Sequence, residues 1–371
     1  MLKTTQVVET PPVERLLNLW AQRYTLGINR SNNQNSLSSK LLESASSKGR
    51  ALTATKLKDN ILTVNCQMGW IQTKTLYAYI PNVMDLTEAR RITQFAFRVY
   101  KKLINVYQKS PCANEALTDE LFSNLELPAI KELAYELEPT LLVFQEQHIA
   151  SKDWRALGFM TTQLNFTNKL IAKKLEPEEK ILLAPYLKFV EEQVAIPWQR
   201  VCAASAKYSV DSAEFRLVEE MLLAAPSIAS SVYNRLLELF PEYRSRRGHL
   251  GDEDIAHSCI RDLNMFQAYL WLCLFEGTIA PIQQELLPLC AMVVQGVNLK
   301  WELTEKWWQV LEEEILNRIN PQAQQLIQPY TKQVQELLWS GRHRLGYPED
   351  PLRCNNHFSD SNSPTHSQLN H

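Results

Sequence analysis

The chain has 371 residues, 39 Lys and Arg against 41 Asp and Glu, and a formal net charge of −2. That length suits two domains of roughly 150 residues each. The balanced charge lacks the basic excess of a nucleic-acid binder, and ten glycines leave little for phosphate loops or a many-stranded β fold. There is no apolar run of about 18 residues, the length that would cross a membrane, and no apolar signal segment at the N-terminus. A cytoplasmic protein without a transmembrane segment is expected. The seven cysteines are scattered without a CxxC pair, which reads as reduced thiols rather than a disulfide frame or zinc cage.

In chain order, residues 1–59 read as an N-terminal extension, with a flexible Ser/Asn/Lys-rich stretch at 30–50. Two short runs, 61–66 and 75–80, have strand character. Asp85-Leu-Thr-Glu88 has the form of a capping box opening a helix to about Tyr107, with Ile92, Phe95, Val99, Leu103 and Val106 on one apolar face. Asp211-Ser-Ala-Glu214 has the same form ahead of Phe215, Val218 and Met221, and Thr304 is expected to open a Trp-rich helix through Trp308, Leu311 and Ile315. Residues 349–371 are polar and read as a disordered tail.

Three blocks recur in order. Val99–Tyr107 lines up with Val232–Phe240, Ala129–Leu133 with Cys259–Leu263, and Pro177, Pro185, Tyr186 and Glu192 with Pro321, Pro329, Tyr330 and Glu336. Ordered matches of this kind indicate duplication. The chain therefore divides into two related helical domains, 60–200 and 205–342, with Pro197 and the Ala/Ser stretch after it at the junction.

The second copy carries the residues of chemical interest. Acidic residues at 252–254 suit a helix N-terminus, and Gly277 is a natural stop. Between them, Ile255, Cys259, Asp262, Phe266, Tyr269 and Cys273 alternate at four- and three-residue spacing and share one face. Arg261 lies about 200° around the axis from Cys259, so it reaches the same ligand only by wrapping its side chain. As neighbours in sequence, Arg261 and Asp262 are not expected to pair with each other.

Cys259-Ile-Arg261-Asp262, then Tyr269, then Gly277 eighteen residues after the cysteine, preceded by Val232-Tyr-Asn234 and Phe240-Pro241, resembles the phycobiliproteins, the globin-like subunits of the phycobilisome. The likeness covers about 205–340 and extends in degenerate form to 60–200. It implies an all-α fold of two tandem globin-like, phycobilisome-type domains. It also implies an accessory or regulatory light-harvesting role without enzymatic activity, and a cyanobacterial or red-algal-type plastid source. The partners it implies are phycobilisome or photosystem proteins, with the protein peripheral at the thylakoid surface. It implies one linear tetrapyrrole (bilin), with Cys259 as thioether attachment, Arg261 on a propionate, Asp262 on the pyrrole nitrogens, and Phe266 and Tyr269 as chromophore walls. Ala268 stands where the family carries a subunit-pairing Arg, and Ala129 replaces the cysteine in the first copy.

Blander readings stay beside these. Cys259 also reads as a buried small hydrophobe, and Phe266, Tyr269 and Trp271 as core. His257 near Glu253 and Asp254 reads as a structural histidine rather than a metal ligand. Arg244, Arg246 and Arg247, and likewise Arg342 and Arg344, read as solvated loops, with a contact for an acidic partner or a propionate as the runner-up. Trp301, Trp307 and Trp308 read as core or interface. No catalytic triad order, GxSxG, P-loop or GxGxxG string is present. A pigment-free docking scaffold is the alternative function.

Overall fold

A computed structural model describes residues 10–31, 39–78, 86–109, 125, 127–151 and 155–344. The architecture is all-α. The helices are α1 (Pro11–Ser31), α2 (Ser39–Ala45), α3 (Ser47–Lys56), α4 (Asp59–Leu76), α5 (Leu86–Gln108), α6 (Ile130–Ser151) and α7 (Arg155–Ala172). They continue as α8 (Pro177–Ala195), α9 (Trp198–Ala204), α10 (Ala213–Leu239), α11 (Glu253–Glu276), α12 (Leu287–Val297), α13 (Trp301–Leu316) and α14 (Pro321–Arg344). A short antiparallel hairpin, β1 (Arg244–Ser245) and β2 (Gly248–His249), precedes α11, and a π-helical turn at Ile282–Leu286 leads into α12.

The expected helix faces are in place. Ile92, Phe95, Val99, Leu103 and Val106 are all buried along α5. Ser212, not Asp211, caps α10, its hydroxyl accepting from the Phe215 N–H at 3.2 Å, while Asp211 accepts from Arg216. Helix α13 begins at Trp301, three residues before Thr304. Gly277 terminates α11 with φ 66°, in the left-handed region that glycine occupies without steric cost.

Other expectations fail. Residues 61–66 lie inside α4, as do 75 and 76, so neither run is a strand. The β-branched residues there alternate with Leu62, Asn65, Cys66 and Gly69, which are buried at helical spacing. Residues 39–50, expected to be flexible, form α2 and the first turn of α3. Arg50 is buried there, donating to the Ala45 and Lys109 carbonyls. Helix α1, within the N-terminal extension, packs on α8. Trp20 and Tyr24 pack on Phe189 with ring centroids 5.1 and 5.3 Å away, and the Tyr24 hydroxyl donates to Glu192 at 2.7 Å. Asp85, residues 79–80 and the tail 349–371 lie outside the described residues.

The packing pairs of the two halves run in parallel. In the N-terminal half α5 packs on α6, α7 on α8, and α5 and α6 both on α8. In the C-terminal half α10 packs on α11, α13 on α14, and α10 and α11 both on α14. Helices α8 and α14 each begin with proline at the first position, where its missing N–H costs nothing, and each carries a second proline inside. The junction helix α9 is core: Trp198, Val201 and Cys202 are fully buried beneath α11 and α1.

Candidate functional site

The hairpin ahead of α11 shapes the site. Gly248 sits at φ 144°, and a side chain there would place its Cβ 2.4 Å from Asp252 Oδ2. That same oxygen accepts from the His249 N–H at 2.8 Å, and Asp252 is the N-cap of α11. The Arg246 N–H donates to the Val297 carbonyl at 3.1 Å, tying the turn to the end of α12. Arg246 and Arg247 therefore occupy the tip of a fixed turn between Ser245 and Gly248.

Beneath this turn lies a cleft of about 400 Å³, within the usual range for small-molecule sites of roughly 300–1,000 Å³. Cys259, Arg261, Asp262 and Phe266 line it from α11, and Arg247 closes it from the hairpin. Leu289, Cys290 and Val294 of α12 and Trp307 of α13 form further walls. The opposite side comes from the N-terminal half, through Tyr77, Gly158, Phe159 and Thr161.

That juxtaposition is held by polar links at the start of α11. Glu191 of α8, buried, accepts from His257 Nε2 at 2.7 Å and from Asn165 and Asn168 of α7 at 3.2 and 3.1 Å. Lys169 pairs with Asp254 at 2.6 Å. His257 thus serves an interhelical link rather than a pairing with Glu253 and Asp254. Among the described residues, no group of His, Cys, Asp and Glu is arranged to hold a metal ion.

The face predicted for α11 is split by depth. At 1.5 Å per residue its 24 residues run about 36 Å, far enough to cross the cleft and enter the core. Ile255, Cys259, Asp262 and Phe266 line the cleft; Tyr269 does not. Its hydroxyl donates to Glu285 Oε2 at 3.1 Å, and Arg200 holds both oxygens of Glu285 at 2.8 Å. Tyr269 belongs to a buried polar cluster joining α9, α11 and the π-turn. Ala268 and Trp271 are fully buried, so position 268 faces core and not a free partner surface.

The charged pair also departs from expectation. Arg261 folds back onto Asp262, donating from Nε and Nη2 to Oδ1 at 3.0 and 2.7 Å. The guanidinium is long enough to bridge adjacent residues, which spacing along the axis alone does not convey. Asp262 Oδ2 receives no protein donor among the described residues. Burial, with the Asp262 charge adding to it and Arg261 and Arg247 opposing, pushes the Cys259 thiol up to about 12. At neutral pH the group is S–H.

Two cleft residues, Cys290 and Trp307, escape sequence reasoning. Arg247 is drawn in from the expected solvated loop by the hairpin. Cys290 and Trp307 arrive from α12 and α13, and no spacing to Cys259 signals either. Trp301 and Trp308, by contrast, are buried core. Arg342, expected on a solvated patch, is buried and pairs with Glu302 and Glu305 at 3.0 and 2.9 Å.

Residues 201–338 match the family model described as phycobilisome protein. This domain belongs to the phycobilisome protein family. Proteins of that family are structural light-harvesting pigment proteins rather than enzymes, and they associate with phycobilisome components. The match spans the hairpin, the cleft-lining face of α11 and the walls from α12 and α13, so the resemblance seen in the sequence and the geometry fall on the same segment. No curated protein and no solved structure matches the chain. Among the described residues, no helix is long and apolar enough to cross a membrane.

Proposed function

We propose that the chain is an accessory or regulatory, non-enzymatic member of the phycobilisome light-harvesting machinery that holds one bilin at Cys259. The observation that carries this reading is the opening of Cys259, Arg261, Asp262 and Phe266 onto one cleft of small-molecule size. The residues fit such a ligand. Phe159, Phe266, Leu289 and Val294 offer apolar surface to its rings, and Asp262 Oδ2 is open to accept hydrogen bonds from its N–H groups. Cys259 would hold the ligand by adding its S–H across a carbon–carbon double bond of the ligand's arm, which would form one C–S and one C–H bond with no leaving group. Bound there, a bilin supplies visible absorption.

The N-terminal half serves in this reading as a pigment-free counterpart of the C-terminal one, and we take residues 60–200 and 205–342 as duplicated domains. The parallel packing of α5, α6, α7 and α8 with α10, α11, α13 and α14 supports that descent. Ala129 at the position of Cys259 leaves the first copy without a thiol to attach. The protein would work in the cytoplasm, peripheral to the thylakoid, against phycobilisome or photosystem proteins.

The test is coexpression of the full chain with bilin synthesis and a lyase, followed by absorbance and zinc-enhanced fluorescence of the denatured protein. Colour that survives denaturation, disappears in Cys259→Ala and persists in Cys290→Ala is the expected result. Colour that follows Cys290 instead removes Cys259 from its role.

The alternative is a pigment-free scaffold docking antenna or photosystem proteins. The protonated, buried thiol and the closed Arg261–Asp262 pair favour it, because both reduce what the cleft offers to a covalent pigment. Absence of colour in all three proteins under these conditions supports it.

A further inference from the structure

The cleft contains two kinds of polar group, and they differ in what they lack. Arg261 is already neutralised by Asp262, with two charge-assisted bonds to one oxygen. Arg247 is not. Its side chain has no ion pair or hydrogen bond among the described residues, and its Nε is buried without an acceptor. Guanidinium nitrogens can only donate. A half-buried guanidinium of this kind carries a desolvation cost that an acceptor removes, and it is best served by a carboxylate or similar oxyanion. The hairpin fixes Arg247 through the Arg246 link to Val297 and the Gly248–Asp252 contact, so it is placed before any ligand arrives.

We infer that Arg247 is the anion anchor of this cleft and that the occupant is an aromatic acid, with its flat apolar body on Phe159, Phe266 and Val294 and its oxyanion on Arg247. This deepens the reading of the cleft as a ligand site and rests on it. It also moves the acid-binding role, assigned by resemblance to Arg261, onto a residue outside the Cys-x-Arg-Asp string.

The experiment compares two fluorescent probes on the full chain: the anionic 8-anilinonaphthalene-1-sulfonate and the uncharged N-phenyl-1-naphthylamine, which has the same aromatic body without the sulfonate. Wild-type protein is expected to prefer the anion. Arg247→Gln should cut that preference by about tenfold, the order expected for one charge-assisted bond. Arg247→Lys should keep part of it, and Arg216→Gln, at an exposed arginine outside the cleft, should leave it in place. Far-ultraviolet circular dichroism of each variant checks folding. Equal preference in wild type and Arg247→Gln overturns the inference, as does an equal loss of preference in Arg216→Gln. A third arm adds biliverdin. Displacement of the anionic probe joins the anchor to the bilin reading. Failure to displace it, with Arg247 dependence intact, upholds the anchor and sinks the bilin.

Discussion

The starts of α6 and α11 make an instructive contrast. In both halves a long helix begins after a loop and packs on the same two neighbours, α5 and α8 in one case, α10 and α14 in the other. Before α6, the residue in register with Cys259 is Ala129, and the neighbouring Pro128 carbonyl is taken by the hydroxyl of buried Tyr186. Tyr107 stacks edge-on against Tyr186, with centroids 5.4 Å apart. Buried aromatic side chains thus close on the start of α6. At α11 the hairpin borders a cleft, and the N-terminal half supplies its wall through Tyr77, Gly158 and Phe159. One helical frame therefore serves two ends: in one half the helix start is met by buried aromatic rings, and in the other it borders a cleft that the first half completes.

The largest contrast to test is covalent. Ala129→Cys should gain no pigment under conditions where Cys259 acquires one, because Ala129 stands just ahead of α6 and does not line the cleft. Colour in the Ala129→Cys, Cys259→Ala double variant would erase the distinction between the halves.

Next in size is the core of the C-terminal half. Removing Glu285 leaves Arg200 buried without its main partner, and breaking such a pair costs about 3–5 kcal/mol. Glu179, its nearest analogue in the first half, pairs with the more exposed Lys56 at 2.7 Å and Thr53 at 3.0 Å, so Glu179→Ala should cost less, about 1–3 kcal/mol. Urea denaturation of the two variants compares them, and equal losses would contradict the assignment of the tighter polar cluster to the C-terminal half.

A smaller effect isolates the shared wall. A Cβ on Gly158 meets nothing within 4 Å. Gly158→Phe should therefore fill the cleft from the N-terminal side, weaken the anionic probe by about tenfold, or roughly 1.4 kcal/mol, and leave the thermal midpoint unchanged or raised. Unaltered probe binding would mean that this half does not border the site in solution.

The smallest effect is a pH dependence. Burial raises the Glu191 pKa, but the hydrogen bond and charge of His257, with Arg261 and Asn165, outweigh it and hold the carboxyl below its ordinary 4.5. A depressed folded value means that the contribution is present above the unfolded pKa and lost as pH falls through the folded one. Stability should thus decline more steeply below about pH 4.5 in wild type than in Glu191→Gln. Matching pH profiles would remove Glu191 from the link between the halves.

Much of the frame is legible in the residues themselves. The apolar spacing of Ile92, Phe95, Val99, Leu103 and Val106 predicts α5, and Gly277 marks the end of α11. The repeated Pro177 and Pro321 sit at two helix starts because proline suits that position in any context. The strand reading of 61–66 fails because local β character is weaker than the burial of a whole helix face. The pairing of Arg261 with Asp262 is missed because backbone spacing fixes where Cβ points and says little about a side chain with four rotatable bonds.

The amino-acid order by itself determined helical periodicity, the duplicated blocks and the Cys259–Asp262 motif, since each is set by neighbours within a few turns. Tertiary structure alone decided that Tyr269 enters the core, that Arg247 and Trp307 reach the cleft, and that the first half walls the second. Those outcomes depend on the docking of segments as far as some 230 residues apart, Tyr77 and Trp307 among those that line one cleft, and no local rule encodes which faces such segments bring together.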